Sequence, residues 1–599
     1  MLASALAAML SLVPVAGAAV SLPSSPPVSQ SSFRLEAAGS VPVDNDQLIP
    51  APSTPPAPVC TAPIVAAPSN GSVAVLQRRI DLDVAAGAAF QGDTICLSGV
   101  FRAPIHVRGK VSSHRLTIAR APGAAATFNL AGRAPNLSTD GDPNAHDNTD
   151  LGAIEIGDSR DVEAYGLTIE NWSSANPALV PAGIYVTSTR TDPSAGVTES
   201  ACYARSADGV CGNIFLYDNT ISAVQTTSPG CGQLGNGTYG NAFGIAVKSF
   251  GANAAQALQH VVIEGNTVTR TLTGQSETLT VNGDITDFLV ADNTITNVNN
   301  IGLDVIGWET GGVSLPGGHS ASQARNGLIY ANSLSNVDTR LNPGYGVRSG
   351  ARCLPGEMDA GGIYVDGGSH LWIERNTVTN TNHGIELNAE DQDGRPGESA
   401  DQLLVTGNLV SDGRGDGFGN PAQPYDDAGH AFAAFLVGGV ADNAGGSSSV
   451  HDVYAHGNTF TNQSQFFLDP TQPPPPDPAA VVLFEGGWGR VWVLGNNISG
   501  DGSADTLNPL LEVDAEPGLA PTSAPGVVLD CNRYEAPSTV ATNFLSPTTG
   551  WTQFAGPGGY QLGNRFPTSE RELAPARWDA DSASPAPPRC PFTVPAAGA

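Results

Sequence analysis

One short pattern recurs along the chain and restricts what it can fold into. It reads apolar-x-apolar-x-x-Asn. It fits Ile214-Leu216-Asn219, Val261-Ile263-Asn266, Phe288-Val290-Asn293, Leu371-Ile373-Asn376, Leu403-Val405-Asn408, Val453-Ala455-Asn458, Val491-Val493-Asn496 and Val527-Leu529-Asn532, and Asn332 follows Ile329 at the same offset. The shortest interval is 27 residues, from Asn266 to Asn293. The others are longer, so loops of varied length interrupt a minimal repeat. A second pattern precedes these segments. It appears as Gly-Ile-Tyr185-Val, Gly-Ile-Ala246-Val-Lys248, Leu-Thr280-Val-Asn282, Gly-Leu-Asp304-Val-Ile306, Gly-Ile-Tyr364-Val-Asp366 and Gly-Ile-Glu386-Leu-Asn388. Alternation with period two marks both as short strands, with the aliphatic residues inside and the variable residue outside.

Two strand patterns in a fixed order, with one turn asparagine per lap, predict an all-β solenoid: a single-stranded right-handed parallel β-helix. Asparagine tolerates left-handed backbone at such a turn. Its amide also suits a ladder of hydrogen bonds up the stack. A β-sandwich does not explain the fixed order of the two patterns. No long amphipathic helical pattern stands out.

These patterns resemble the pectate-lyase-like superfamily, and Gly92-Asp93-Thr94-Ile95-Cys96-Leu97, running on to Phe101-Arg102, is similar to the N-terminal turn of its members. The resemblance covers roughly residues 75–535 and implies a β-helix with carbohydrate-active members, without specifying a reaction. Polygalacturonases of the superfamily carry N-T-D, D-D, H-G and R-I-K blocks. This chain has Asn148-Thr149-Asp150 and Asn382-His383-Gly384 but no D-D block between them and no R-I-K block. The D-P-H-D motif of alginate epimerases and the arginine-centred pectate-lyase pattern are also absent, so no family's catalytic residues carry over.

The organisation expected is a secretory signal over 1–20, a Pro/Ser-rich linker or arm over 21–60, and an N-terminal cap with the first turns over 61–150. The β-helix follows over 151–535, and a C-terminal capping segment over 536–599. The Leu/Ala run ending at Pro14, with Ala16-Gly17-Ala18 as cleavage context, supports export. The first basic residue is Arg34, so an uncleaved anchor stays as the alternative. No later segment is apolar enough to cross a membrane. A secreted location, extracellular or periplasmic, makes the eight cysteines disulfide candidates. The expected pairs are Cys60 with Cys96, Cys202 with Cys211, Cys231 with Cys353, and Cys531 with Cys590.

A net charge of −30, with Lys110 and Lys248 the only lysines in 599 residues, argues against nucleic acid as a partner. It also disfavours a highly anionic polymer, unless a cation mediates. The expectation is a monomer acting on a polysaccharide or oligosaccharide substrate, with neutral glycans favoured.

Stacking the second pattern at about 4.8 Å per lap places Glu155, Tyr185, Ala246, Thr280, Asp304, Tyr364 and Glu386 in one outward column. A second column runs Thr187, Lys248, Asn282, Ile306, Asp366, Asn388. Long loops on both sides make this sheet the floor of a cleft. Asp304, Asp366 and Glu386 are the catalytic candidates. Carboxyl groups about 6.5–9.5 Å apart suit inverting glycosidases, and groups about 5 Å apart suit retaining ones. Clustered carboxylates also keep one of their number protonated, as a general acid requires. The bland alternative is a solvated acidic face. Lys248, Asn282, Tyr364, Asn388, Trp308 and Tyr185 are the substrate-binding candidates, Tyr and Trp for the apolar faces of sugar rings. Trp372 and Trp492 read as packing or edge residues. Lys248 is alternatively the base of a calcium-assisted lyase, or a member of an ordinary salt bridge. Glu309, Glu390 and Asp391 end their strands where loops begin, and suit Ca²⁺ or cleft lining. A non-catalytic glycan-binding surface protein is the third reading.

Overall fold

The computed structural model describes residues 58–60, 62–65, 71–140, 149–188, 211–227, 240–249, 257–308, 323–339, 342, 347–349, 352–354, 361–389, 399–413, 433–439, 449–462, 480–486, 488–500, 511–513, 527–530, 532–535, 544–547 and 551–553. The chain is the right-handed parallel β-helix expected from its sequence. One 13-stranded sheet runs from Ile105–Arg108 to Trp551–Gln553 and forms the floor. The other two faces merge into a 24-stranded sheet. They join because Asp93–Phe101 pairs at its start with Leu116–Arg120 and at its end with Ala126–Asn129. Almost every pairing is parallel and lap to lap; Val347–Ser349 with Arg352–Leu354 and Phe544–Pro547 with Trp551–Gln553 are the antiparallel strand pairs among the described residues. A single core of Ile, Leu, Val and Phe fills the coil from Val73 to Ile498.

The asparagine ladder is present on all nine rungs, Asn219, Asn266, Asn293, Asn332, Asn376, Asn408, Asn458, Asn496 and Asn532. Each Nδ2 donates to the Oδ1 of the next rung, and the backbone N–H of each rung donates to that same oxygen. One expectation is corrected. The asparagines do not take the left-handed backbone; the residues just before them do. These are Asp218, Gly265, Asp292, Ala331, Arg375, Gly407, Gly457 and Gly495, with φ between 51° and 70°. The turn is made one residue early, and the asparagine is thereby swung inward, where it is fully buried.

The recurrent glycine of the second pattern marks a corner. A Cβ on Gly183 would lie 2.6 Å from Ile221 Cγ2, and one on Gly244 2.5 Å from Val268 Cγ1. Gly302, Gly362 and Gly384 meet Leu334, Val378 and Val410 in the same way. No side chain fits where the floor strand crosses so close to the neighbouring face.

Two features escaped the sequence reading. Gly71–Ala85 is a helix closing the first lap, with Val73, Leu76 and Ile80 turned inward at i, i+3 and i+7 beside Phe90. Exposed Val75 and Leu82 blur that stripe in the sequence. A solenoid end needs such a cap, because its last lap has no neighbour to cover it. Second, the variable position of the first pattern is itself apolar. Phe215, Val262, Leu289, Leu328, Trp372, Leu404, Tyr454 and Trp492 stand in one register column on the outside of the coil. Leu289 and Leu328 pack with Tyr330, and Leu404 with Tyr454 and Trp492, while Trp372 touches both groups. Trp372 and Trp492 are thus packing residues.

Cys60 is bonded to Cys96, as expected. Cys211 is also in a disulfide. Cys202, Cys231, Cys531 and Cys590, and the side chain of Cys353, lie outside the described residues.

Candidate functional site

The floor register reproduces the outward column residue for residue. His106 pairs with Glu155, Glu155 with Tyr185, Tyr185 with Ala246, Ala246 with Thr280, Thr280 with Asp304, Asp304 with Tyr364, Tyr364 with Glu386, and Glu386 with Leu436. The polar stretch therefore covers four laps, Thr280 to Glu386, between Ala246 and Leu436. Asp304 and Glu386 are two laps apart, about 9–10 Å between backbones. Asp366 flanks Glu386 from the second column, where it pairs with Asn388. The Glu386 carboxylate leans back over the preceding lap: a Cβ built on Gly361 would be 3.8 Å from its Oε2. Gly361 pairs with His383, so that histidine, 4% exposed, enters the same neighbourhood.

The second column departs from expectation at one point. Parallel pairing of its fourth and fifth laps ends at Val305 with Val365, and Ile306 bridges Gly367 in antiparallel sense instead of meeting Asp366. The cause is local. Trp308 takes φ of 70°, unusual for a bulky residue, and turns the chain across the end of the next lap.

The structure divides the sequence candidates into two groups. Thr280, Asn282, Asp304, Tyr364, Asp366, Glu386 and Asn388 share the polar stretch. Asp304 is 2% exposed and Asp366 3%, whereas Glu386 and Asn388 are half-buried, so access is greatest on their lap. Tyr185 and Lys248 belong elsewhere. Tyr185 is fully buried in an apolar group with Val180, Ala182, Phe243 and Ala246. Lys248 Nζ lies 2.9 Å from Asp150 Oδ2 and 4.5 Å from the Phe243 ring centroid. This is the salt-bridge reading of Lys248, and it closes the N-terminal half of the floor. Trp308 is buried too; its Nε1 donates to the Ser399 carbonyl at 3.1 Å. Glu309, Glu390 and Asp391 lie outside the described residues. Among the described residues no group of three or more His, Cys, Asp or Glu is arranged to hold a metal ion.

Further along the column, Glu155 is clamped by Arg108, at 2.5 and 2.8 Å, with His106 Nδ1 at 3.3 Å. Burial raises its pKa, but the hydrogen bonds from His106 and Arg108 outweigh that and hold it below the ordinary value. It is a fixed anion, which suits it to structure better than to proton transfer. The sequence reading placed Thr280 in the outward column but missed Asp150 and His383 as site neighbours. His383 opens the strand that carries Glu386 and was readable from register. Asp150 was not, since its contact with Lys248 spans two laps.

No family model matches the chain. The uncharacterized protein YwoF of Bacillus subtilis (strain 168) is 30% identical over 314 residues, 52% of this chain and 52% of that protein. The chain thus corresponds to about half the length of the curated relative it matches. Among solved structures, it is similar to the A-module of the mannuronan C-5 epimerase AlgE6 of Azotobacter vinelandii, at 11% identity over 78% of this chain and 96% of that one, with a TM-score of 0.40. It is also similar to the GH136 lacto-N-biosidase of Eubacterium ramulus, at 11% identity, 75% and 62% coverage and a TM-score of 0.40. The surface adhesin PfbA of Streptococcus pneumoniae shares 11% identity at 81% and 91% coverage, with a TM-score of 0.31. At such scores these likenesses carry nothing to the chemistry, and the β-helix rests on the register of the chain's own strands.

Proposed function

We propose that the chain is an exported carbohydrate-active enzyme that hydrolyses a glycosidic bond on the polar stretch of its floor. The observation that carries this reading is the register column Asp304–Tyr364–Glu386, with Asp366 beside it. It sets carboxyl groups on both sides of one aromatic ring. Tyr364 packs on the apolar face of a sugar ring, Asn282 and Asn388 bond hydroxyls, and the carboxylates act as acid and base or nucleophile. The charge of −30 favours a neutral glycan over a uronic-acid polymer. The Cys60–Cys96 disulfide supports an oxidising compartment. An elimination through Lys248 gains no support, because Asp150 holds its ammonium group at 2.9 Å.

The test is a panel of neutral and acidic glycans scored for new reducing ends and for the ultraviolet absorbance of unsaturated uronates. Reducing ends without that absorbance, lost in Asp366→Asn and Glu386→Gln, support hydrolysis. Activity that survives both substitutions refutes it.

A further inference from the structure

Where the floor strands leave the polar stretch, a buried polar corner joins its laps. Gln323 Nε2 donates to the Gly367 carbonyl at 2.8 Å and to the Ser399 carbonyl at 3.0 Å. Trp308 Nε1 donates to the same Ser399 carbonyl at 3.1 Å. The indole packs against Gly367, where a Cβ would lie 2.6 Å from its Cδ1. Gly307 bridges Gln323, and Gly307 N–H donates to the Asp366 carbonyl at 2.6 Å. Arg325 continues the corner: its Nη1 donates to the Gln323 carbonyl at 2.9 Å and to Asp284 Oδ1 at 2.8 Å. Trp308 and Gln323 follow the strand of Asp304, Gly367 follows Asp366, Ser399 follows the lap of Glu386 and Asn388, and Asp284 follows Thr280 and Asn282. The four laps tied here are the four laps of the candidate site.

We propose that Gln323, seconded by Trp308, is a positioning residue that fixes the spacing of Asp304, Asp366 and Glu386 by stapling the exits of their three laps. Between the laps of Asp304 and Asp366 the parallel pairing breaks at Ile306, whereas between the laps of Asp366 and Glu386 it runs on to Asp366 with Asn388. One side-chain amide spans the break, and it reaches two carbonyls on two different laps. The consequence for catalysis rests on the hydrolase reading; the mechanical consequence does not.

The experiment uses the full chain with Gln323→Met, which keeps the volume and removes both hydrogen bonds, and Trp308→Phe, which keeps an aromatic ring and removes the N–H. Hydrogen exchange is read at the Gly307 and Gly367 amides, which bond across the corner, and at the ladder amides of Asn332, Asn376 and Asn408 on the far side of the coil. Gln323→Met is expected to speed exchange at Gly307 and Gly367 by about tenfold to a hundredfold, the loss of two net hydrogen bonds, with the ladder unchanged. Trp308→Phe is expected to give a smaller effect of the same sign. Unchanged exchange at the corner, or equal acceleration on the ladder, overturns the proposal. On a glycan that the wild type cleaves, Gln323→Met should lower kcat by about tenfold or more with little change in KM; a change in KM alone also overturns it. If the wild type cleaves no glycan, the hydrolase reading falls, and the exchange data still decide the staple.

Discussion

Removing one rung from the middle of the asparagine ladder should cost a large part of the stability of the coil. In Asn376→Ala four hydrogen bonds disappear: Nδ2 to the Ile329 carbonyl at 2.9 Å, Nδ2 to Asn408 Oδ1 at 3.0 Å, and the two that Asn376 Oδ1 accepts from Asn332 N–H and Nδ2, both at 2.9 Å. Asn408 Oδ1 keeps one donor, the Asn376 backbone N–H. Two buried donors are then orphaned, the Asn332 N–H and one Asn332 Nδ2 hydrogen, and the Ile329 carbonyl loses a donor. At about 1–3 kcal/mol per unsatisfied buried group the loss is roughly 2–6 kcal/mol, well above an ordinary surface substitution. Asn380 supplies the control. It bonds Asn336 on the outside of the coil, half-buried, and Asn380→Ala should cost about 1–2 kcal/mol, most of it for the left-handed backbone at φ of 55° that alanine tolerates less well than asparagine. Equilibrium urea unfolding gives the totals. Hydrogen exchange at the Asn332 and Asn376 amides locates the loss, which matters because a long solenoid can unfold in parts. A cost for Asn376→Ala no larger than that of Asn380→Ala would refute the reasoning.

Three further outcomes follow from the same contacts. Breaking the largely buried Lys248–Asp150 pair by Lys248→Met should destabilise by roughly 3–5 kcal/mol, and adding Asp150→Asn should restore much of it, as read by a double-mutant cycle in urea. Gly384→Ala would drive a methyl group into the Ala434 carbonyl and Val410; a cost of about 1–3 kcal/mol in urea unfolding is expected, and a neutral result would remove the corner explanation for this glycine. Asp284 has its pKa pushed up to about 7 by burial, against the pull of Arg325. An unfolded aspartate releases its proton near ~3.9, so between about pH 4 and pH 7 the folded state holds a proton the unfolded state has lost. Stability should fall as pH rises through that window and level off above it, and Asp284→Asn should flatten the curve in a urea series across pH.

The parts of this molecule visible in its sequence are those that repeat. The asparagines at a constant offset, the corner glycines and the period-two aliphatics each answer to a contact made once per lap, so each leaves a pattern. The cap helix is made once, and its three inward residues leave too short a signal beside the exposed Val75 and Leu82. The left-handed residue before each asparagine varies between Gly, Asp, Ala and Arg, because that position needs a backbone angle more than a side chain. Ion pairs are harder still. Nothing in a sequence aligns Asp150 with Lys248, and with that pair unseen, Tyr185 and Lys248 read as open floor when they are closed over by Phe243.

The geometry of the candidate site depends on devices at other corners of the coil. A strand slipped by one residue would turn Asp304 and Glu386 inward and Val305 and Leu387 outward. The floor strands alone resist this weakly, since their hydrogen bonds are the same in either register. What resists it is the glycine corner before each strand, where a Cβ would collide, and the asparagine after the next turn, which must find the rung above and the rung below. Loop length is then free to vary. Tyr364 stands next to Asp304 despite the long insertion between them, and next to Glu386 with almost none. The carboxylates are therefore placed by residues that never approach them, and the staple at Gln323 is needed only where the parallel pairing is interrupted. That division of labour leaves the four laps of the polar stretch free to carry chemistry, because their register is set at other corners of the coil.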